Sequence, residues 1–368
     1  MRYYRPTWAE INLGNIAYNF RQVKGLLRPG TKIMVTVKAD AYGHGLIEVA
    51  RKLIACGTDY LGVASIDEGI QLRRSGVKIP ILILGMVLKG DIAPLFKYGL
   101  IPTICTEDLA VAINNKARSA GRKTQVHIKV DTGMGRLGVM HHDAFSFVRF
   151  ICGLKHLNVE GLFTHFAFAD LDGKFTAYQI GLFAQLIAKL KRSGIDVPLV
   201  HAANSMGTID FADSHFNMVR PGLVIYGLYP KEKLRIRLKP ALSLKTRIVY
   251  FKRVPRGWGV SYGHIYITKK KTTIVTLPIG YGDGYPRNLS NIAPVLIGGR
   301  RFKVNGRICM DQITVDVGNF RVKTGEEVVL IGRQGKNRIS AEELAALSGT
   351  IPYEIVCGLG SRIPRVYI

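Results

Sequence analysis

Carboxylates are scarce in this chain: 26 Asp and Glu stand against 52 Lys and Arg in 368 residues, a formal net charge of +26. That balance excludes the surface typical of hyperthermophiles, which adds Glu alongside Lys. A nucleic-acid partner is not expected either, because the excess base is scattered in short groups such as Lys269-Lys270-Lys271 and Arg300-Arg301, with no basic arm and no reader motif. A field of this sign instead draws in anionic substrates and phosphorylated cofactors. The five cysteines are odd in number, widely spaced and form no Cys-x-x-Cys pair, so neither a disulfide framework nor a zinc site is expected, and no metal. No run reaches the 18 apolar residues of a membrane span; the longest, 79–88, contains Pro80. The opening residues lack an apolar h-region, so the expectation is a cytoplasmic protein with no membrane partner. A Gly-x-Gly-x-x-Gly fingerprint is also missing from the first unit, which counts against a dinucleotide fold.

What is present is alternation. From residue 12 to about 228, short apolar runs at 32–37, 60–64, 81–84, 100–104, 126–130, 159–163, 199–201 and 218–219 are separated by helical patterns. Ile16, Phe20, Val23 and Leu27 share one helical face, and Leu182, Phe183, Leu186, Ile187 and Leu190 another. About eight such units predict an α/β fold, a (β/α)₈ barrel of the TIM type. After the basic, proline-flanked stretch 231–240 the period falls to two: Leu242, Leu244, Thr246, Ile248 and Tyr250 alternate with Ser243, Lys245, Arg247 and Val249. Further β-type runs follow at 272–277, 293–297, 313–317 and 327–331, with one short helix at 341–347 whose Ser340 and Glu343 fit a capping box. The expected division is a barrel over 1–235 and a second, mostly antiparallel β domain over 236–368.

Barrel chemistry collects at the carboxyl ends of the strands. Lys38 stands there, directly after the apolar run 32–37 and before Ala39-Asp40-Ala41-Tyr42-Gly43-His44-Gly45. A lysine at a strand end can snorkel to solvent; buried, its lowered pKa frees the amine to form a Schiff base with a pyridoxal-type cofactor. Lys129, Asp131 and Arg136 end the fifth strand, His165 the sixth, His201, Asn204 and Ser205 the seventh, and Arg220 the eighth. These independent strand ends converge on one mouth. Asp131-Thr132-Gly133 lacks the second Asp that aspartic-protease chemistry requires, and His141-His142 lacks partner ligands.

The ordered set of segments 37–45, 130–138 (Val-Asp-Thr-Gly-Met-Gly-Arg-Leu-Gly), 164–167, 203–205, 219–222, 260–263, 278–287 and 305–311 resembles the bacterial alanine racemases over almost the whole chain. The resemblance implies pyridoxal 5'-phosphate attached at Lys38, interconversion of L- and D-alanine by two bases, and supply of D-alanine to cell-wall peptidoglycan. Lys38 would be the base on the D side and Tyr262, reaching the barrel of a partner in a homodimer, the base on the L side. A phenol on its own ionises at about pH 10, so Tyr262 needs a cationic neighbourhood, which His165 would link to Arg220. Arg220 matches the residue facing the pyridine nitrogen. The remaining cofactor contacts implied are Tyr42, Asn204, Ser205, Gly222, Leu223 and Tyr353. Arg136 and the partner's Met310 would hold the substrate carboxylate, and Lys129 matches a lysine that carries a carbamate. Ile265, Met206-Gly207 and Gly282 depart from the family pattern, which leaves a broader alanine/serine racemase as the alternative. A non-catalytic pyridoxal phosphate-binding protein on the same barrel is the reading of a different class.

Overall fold

The computed structural model of the protein describes residues 4–231 and 233–368. Eight parallel staves close a barrel in the order Lys32–Thr36, Tyr60–Val63, Ile81–Ile83, Thr103–Ile104, Thr124–Asp131, Leu157–Phe163, Leu199–His201 and Met218–Val219, the last pairing with the first. The join between the third and fourth staves is the parallel bridge Leu82–Ile101, with hydrogen bonds of 2.9 Å on each side. Every expected run is present. Met34, Tyr60, Leu82, Ile101, Leu199 and Met218, from the first four staves and the last two, form one buried cluster inside the barrel.

The helices follow from their caps and apolar faces. Leu13–Lys24 starts at Asn12, whose side chain accepts from the Asn15 amide at 2.8 Å, and buries Ile16, Phe20 and Val23 against the staves. Its Asn19 is fully buried and stays paired, donating to the carbonyls of Ile225 and Lys239 and accepting from the Lys239 amide. That one side chain ties the first helix to the segment that leaves the barrel.

The second domain is mostly antiparallel. Leu242–Arg247, Pro294–Ile297, Arg300–Lys303, Glu327–Gln334 and Asn337–Ile339 form its larger sheet, and Tyr250–Val254, Thr272–Leu277 and Ile313–Gly318 a three-stranded one. Two expectations are corrected here. The single alternating run 242–250 breaks at Ile248 and Val249, where the chain crosses from one sheet to the other and Tyr250 becomes exposed. Ser340 does cap Ala341–Ser348, accepting from the Glu343 amide at 3.1 Å, but the Glu343 carboxylate bonds Arg301 instead of closing a capping box.

The expected division at 235/236 also needs amending. Thr7–Ile11 belongs to the second domain's larger sheet, antiparallel to Leu242–Arg247 and parallel to Arg365–Tyr367. Beside it, Arg5 makes a two-pronged ion pair with Asp283, which is wholly buried and also lies 3.4 Å from Arg362. The barrel is therefore threaded between two passes of chain through one sheet.

Candidate active site

A cavity of about 260 Å³ opens at the carboxyl ends of the staves, small for a ligand pocket and lined by polar and apolar surface in about equal measure. It is lined by Lys38, Tyr42, Lys129, Arg136, His165, Asn204, Ser205, Arg220, Gly222 and Leu223 of the barrel and by Tyr353 of the second domain, while Asp131 and His201, expected at the same mouth, do not line it.

Lys38 is presented by an unusual backbone. Ala39, Asp40, Ala41 and Tyr42 all take positive φ, between 52° and 55°, so the chain makes a left-handed turn directly after the strand. Such a turn costs about 1–2 kcal/mol per residue and persists only where surroundings hold it. Here the Ala39 amide donates to Glu68 at 2.6 Å, Asp40 accepts from the Leu46 amide at 2.7 Å, and Arg365 of the second domain donates to the Gly43 carbonyl at 3.0 Å. Gly43, at φ 75°, lies so close to the Val356 carbonyl that a Cβ would collide with it. The turn points the Lys38 amine into the cavity, where burial, and then the nearby Arg136, lower its pKa.

Arg220 is buried and held through its two terminal nitrogens. It donates to the carbonyls of Thr164 at 2.6 Å and Ala202 at 2.9 Å and to His201 Nδ1 at 2.7 Å, with His165 Nδ1 at 3.5 Å. Burial pulls its pKa down to about 9, so it stays charged at neutral pH. Lys129 is drawn down to about 8 by burial and by Arg136 and Arg220. His165 is pushed well below its usual value by burial and then by Arg220, which leaves a neutral imidazole. Among the described residues, none of the ion pairs involves Lys38, Lys129, Arg136 or Arg220. Four basic groups around a cavity without a carboxylate partner are a receptacle for anions.

One wall is shaped for close approach. The Gly222 amide donates to Ser205 Oγ at 3.0 Å, and a Cβ on Gly222 would come within 2.5 Å of the Tyr42 hydroxyl. Tyr42 and Tyr353 face each other with ring centroids 5.8 Å apart. Two hydroxyl-bearing rings, a serine and a backbone that can be approached closely at a side-chain-less residue suit the oxygens of a phosphate.

Family models for the alanine racemase N-terminal domain match residues 11–230 and for the alanine racemase C-terminal domain residues 241–367. The chain belongs to the alanine racemase family. It is similar to the alanine racemase of Halothermothrix orenii, 50% identical over 99% of this chain and 97% of that one, and to that of Carboxydothermus hydrogenoformans, 45% identical over 99% and 100%. Among solved structures it resembles the alanine racemase of Clostridium difficile 630, at TM-score 0.95 and 40% identity over 100% and 97% of the two chains. An alanine racemase from Bacillus anthracis with bound L-Ala-P matches at TM-score 0.94 and 37% identity over 100% and 96%.

Against this family's pattern, Tyr262 and Met310 stand apart. Tyr262 is 71% exposed and lines a separate hollow of the second domain with Ser261, His264 and Cys309; Met310 is 53% exposed. Neither reaches the cavity of its own barrel. The Met310 loop is nevertheless firmly set: its carbonyl accepts from the Gly282 amide at 2.8 Å, and Gly280 and Gly282 leave no room for a Cβ against it. Gly207 likewise sits 3.0 Å, as a hypothetical Cβ, from Phe166.

Phe163 was not among the sequence-derived site residues. It lines the cavity, stacks on His201 at 4.8 Å, and lies under Arg220 and Lys129 at 5.2 and 5.6 Å. His127 was missed too, although it alternates with Lys129 and Asp131 along the strand and so shares their face. Asp131 accepts from the amides of Gly133 and Met134 to shape a turn, and His142 pairs with Asp143 at the surface. No helix of the described residues is long and apolar enough to cross a membrane.

Proposed function

We propose that this protein is a homodimeric, pyridoxal 5'-phosphate-dependent alanine racemase that interconverts L- and D-alanine through Lys38 and the Tyr262 of the partner subunit. The observation that carries the reading is the position of the Lys38 amine, its pKa lowered by burial, in one cavity with Lys129, Arg136 and Arg220, none of which has a carboxylate partner among the described residues.

Those residues fit the cofactor's chemistry. Tyr42, Ser205, Tyr353 and the amides of Gly222 and Leu223, with Asn204 beside them, would hold the phosphate, Lys38 the aldehyde carbon, and Arg220 the pyridine nitrogen. When bound, pyridoxal phosphate supplies an electron sink for the charge left on the substrate α-carbon after its proton departs. Arg220 would offer that nitrogen a donor that does not surrender its proton, a contact that would restrain the sink and favour return of the proton over other fates. Arg136 pairs with the alanine carboxylate, helped by the backbone of the partner's Met310. Lys129, with a near-neutral amine, takes up carbon dioxide as a carbamate and so turns from a cation repelling Arg136 into an anion fixing it.

A racemase needs a proton acceptor on each face of the α-carbon. Lys38 serves one face. The phenols within the cavity do not serve the other, since burial raises Tyr42 strongly and Tyr353 to about 12. His165 accepts from Arg220 at Nδ1, which leaves its Nε2–H to support an incoming phenolate. The exposed Tyr262 of a second copy matches that requirement and motivates the dimer.

The test is a spectrum of the protein loaded with pyridoxal phosphate, borohydride trapping followed by peptide mapping, and chiral analysis of alanine. Trapping on Lys38 and loss of racemisation in Lys38→Ala are expected; an active Lys38→Ala protein removes the reading. Turnover of serine comparable to alanine would shift it to a broad-specificity racemase.

A further inference from the structure

The stave Leu157–Phe163 is irregular at one residue. Val126 pairs with Val159 and the next residue, His127, pairs with Gly161, so Glu160 is extra in its strand. A bulge of this kind re-aims a side chain. The Glu160 carboxylate meets His127 Nε2 at 3.2 Å, and accepts from the Tyr60 hydroxyl at 3.0 Å and the Gln125 amide at 2.7 Å. Gly161 makes the space: a Cβ there would collide with the His127 ring. From His127 the contacts run upward, Nδ1 to His201 Nε2 at 2.9 Å, then His201 Nδ1 to Arg220 at 2.7 Å. Both imidazoles are wholly buried.

The two ends decide the direction of every bond between them. A guanidinium only donates and a carboxylate only accepts. Arg220 therefore donates to His201 Nδ1, which leaves His201 Nε2–H to donate to His127 Nδ1, which leaves His127 Nε2–H for Glu160. Any other tautomer sets two donors or two acceptors face to face in a buried row, and an added proton on either ring would confront another donor. Burial lowers the pKa of both histidines in keeping with this. Burial alone would raise Glu160, but hydrogen bonds from His127 and Tyr60 outweigh it and keep the carboxyl below its usual range.

We propose that Glu160 and His127 are positioning residues for Arg220: a partly buried carboxylate near the amino-terminal ends of the staves fixes two histidine tautomers and, through them, the plane and donor direction of the guanidinium at the mouth. The consequence for catalysis rests on the role given to Arg220 above; the tautomers do not, and appear even in a protein that fails to racemise alanine.

Nitrogen-15 spectra of histidine-labelled protein, with and without pyridoxal phosphate, read the tautomers directly. Near neutral pH both His127 and His201 are expected to be neutral with the proton on Nε2. An Nδ1–H or doubly protonated ring at either position overturns the proposal. Glu160→Leu removes the acceptor; it should release both tautomers, shift the absorption of bound cofactor and lower kcat by roughly tenfold with KM for alanine little changed. Glu160→Gln, whose carbonyl still accepts, should keep the tautomers and most of kcat, and decides the matter if the leucine variant does not fold. Equal losses in both variants, or a Glu160→Leu protein with unchanged kcat, would also overturn it.

Discussion

Gly43, five residues after Lys38, packs its α-carbon against the carbonyl oxygen of Val356 in the second domain, with no room for a side chain between them. The lysine-bearing turn is thus pressed into its left-handed form from outside. Gly76 shares the positive φ, at 89°, but faces open space. Gly76→Ala should cost only the conformational term, about 1 kcal/mol, whereas Gly43→Ala adds a backbone collision and should cost on the order of 3 kcal/mol or more. Thermal melts compare the two, and equal losses would refute the clamp.

Shared active sites make a quantitative forecast. Lys38→Ala and Tyr262→Phe proteins should each fail to racemise, the latter losing proton exchange on the L face specifically. Refolded together in equal amounts, half the dimers are mixed and each carries one intact site, so about a quarter of wild-type activity should return. A site contained within one chain would recover nothing.

Lys129 gives stability a pH signature. Its folded pKa, about 8, lies below the ordinary 10.5, so the fold binds this proton less tightly than the unfolded chain does. The penalty is full below pH 8 and is relieved as pH rises toward 10.5; stability should climb across that window relative to Lys129→Met in carbonate-free buffer. Denaturant titrations check the slope. In bicarbonate, intact-mass measurement should find one carbon dioxide on Lys129, and a free amine there would remove the carbamate.

Asp283 is the buried anion between Arg5 and Arg362. Asp283→Asn leaves the partly exposed Arg5 without a carboxylate partner, while Arg362 keeps Asp311, and should destabilise the protein by about 2 kcal/mol. Limited proteolysis should then cut near Thr7–Ile11 before any site in the barrel; cleavage unchanged from wild type would deny the strand its anchor.

The eight staves were legible because each is a short apolar run between helical patterns, and Lys38, His165 and Arg220 were legible because they follow the ends of those runs, whereas Arg136 stands in the loop beyond Asp131. Thr7–Ile11 was not, since its partners Leu242–Arg247 and Arg365–Tyr367 lie at the far side of the chain and only they make it a strand. The turn over Ala39 to Tyr42 was hidden for a similar reason: no residue in it favours positive φ, and contacts from Glu68, Arg365 and Val356 impose it. Glu160 escaped notice because one surplus residue within a strand leaves the apolar pattern of 159–163 intact.

The placement of Thr7–Ile11 also dictates an order of events during synthesis. That strand leaves the ribosome a full barrel's length ahead of Leu242–Arg247, and must wait longer still for Arg365–Tyr367. Its apolar residues Ala9 and Ile11, fully covered in the finished molecule, stay unsheltered throughout that interval. The nascent chain carries an open β edge until residue 367 clears the exit tunnel, so a chaperone that shields this segment should raise the yield of correctly assembled protein.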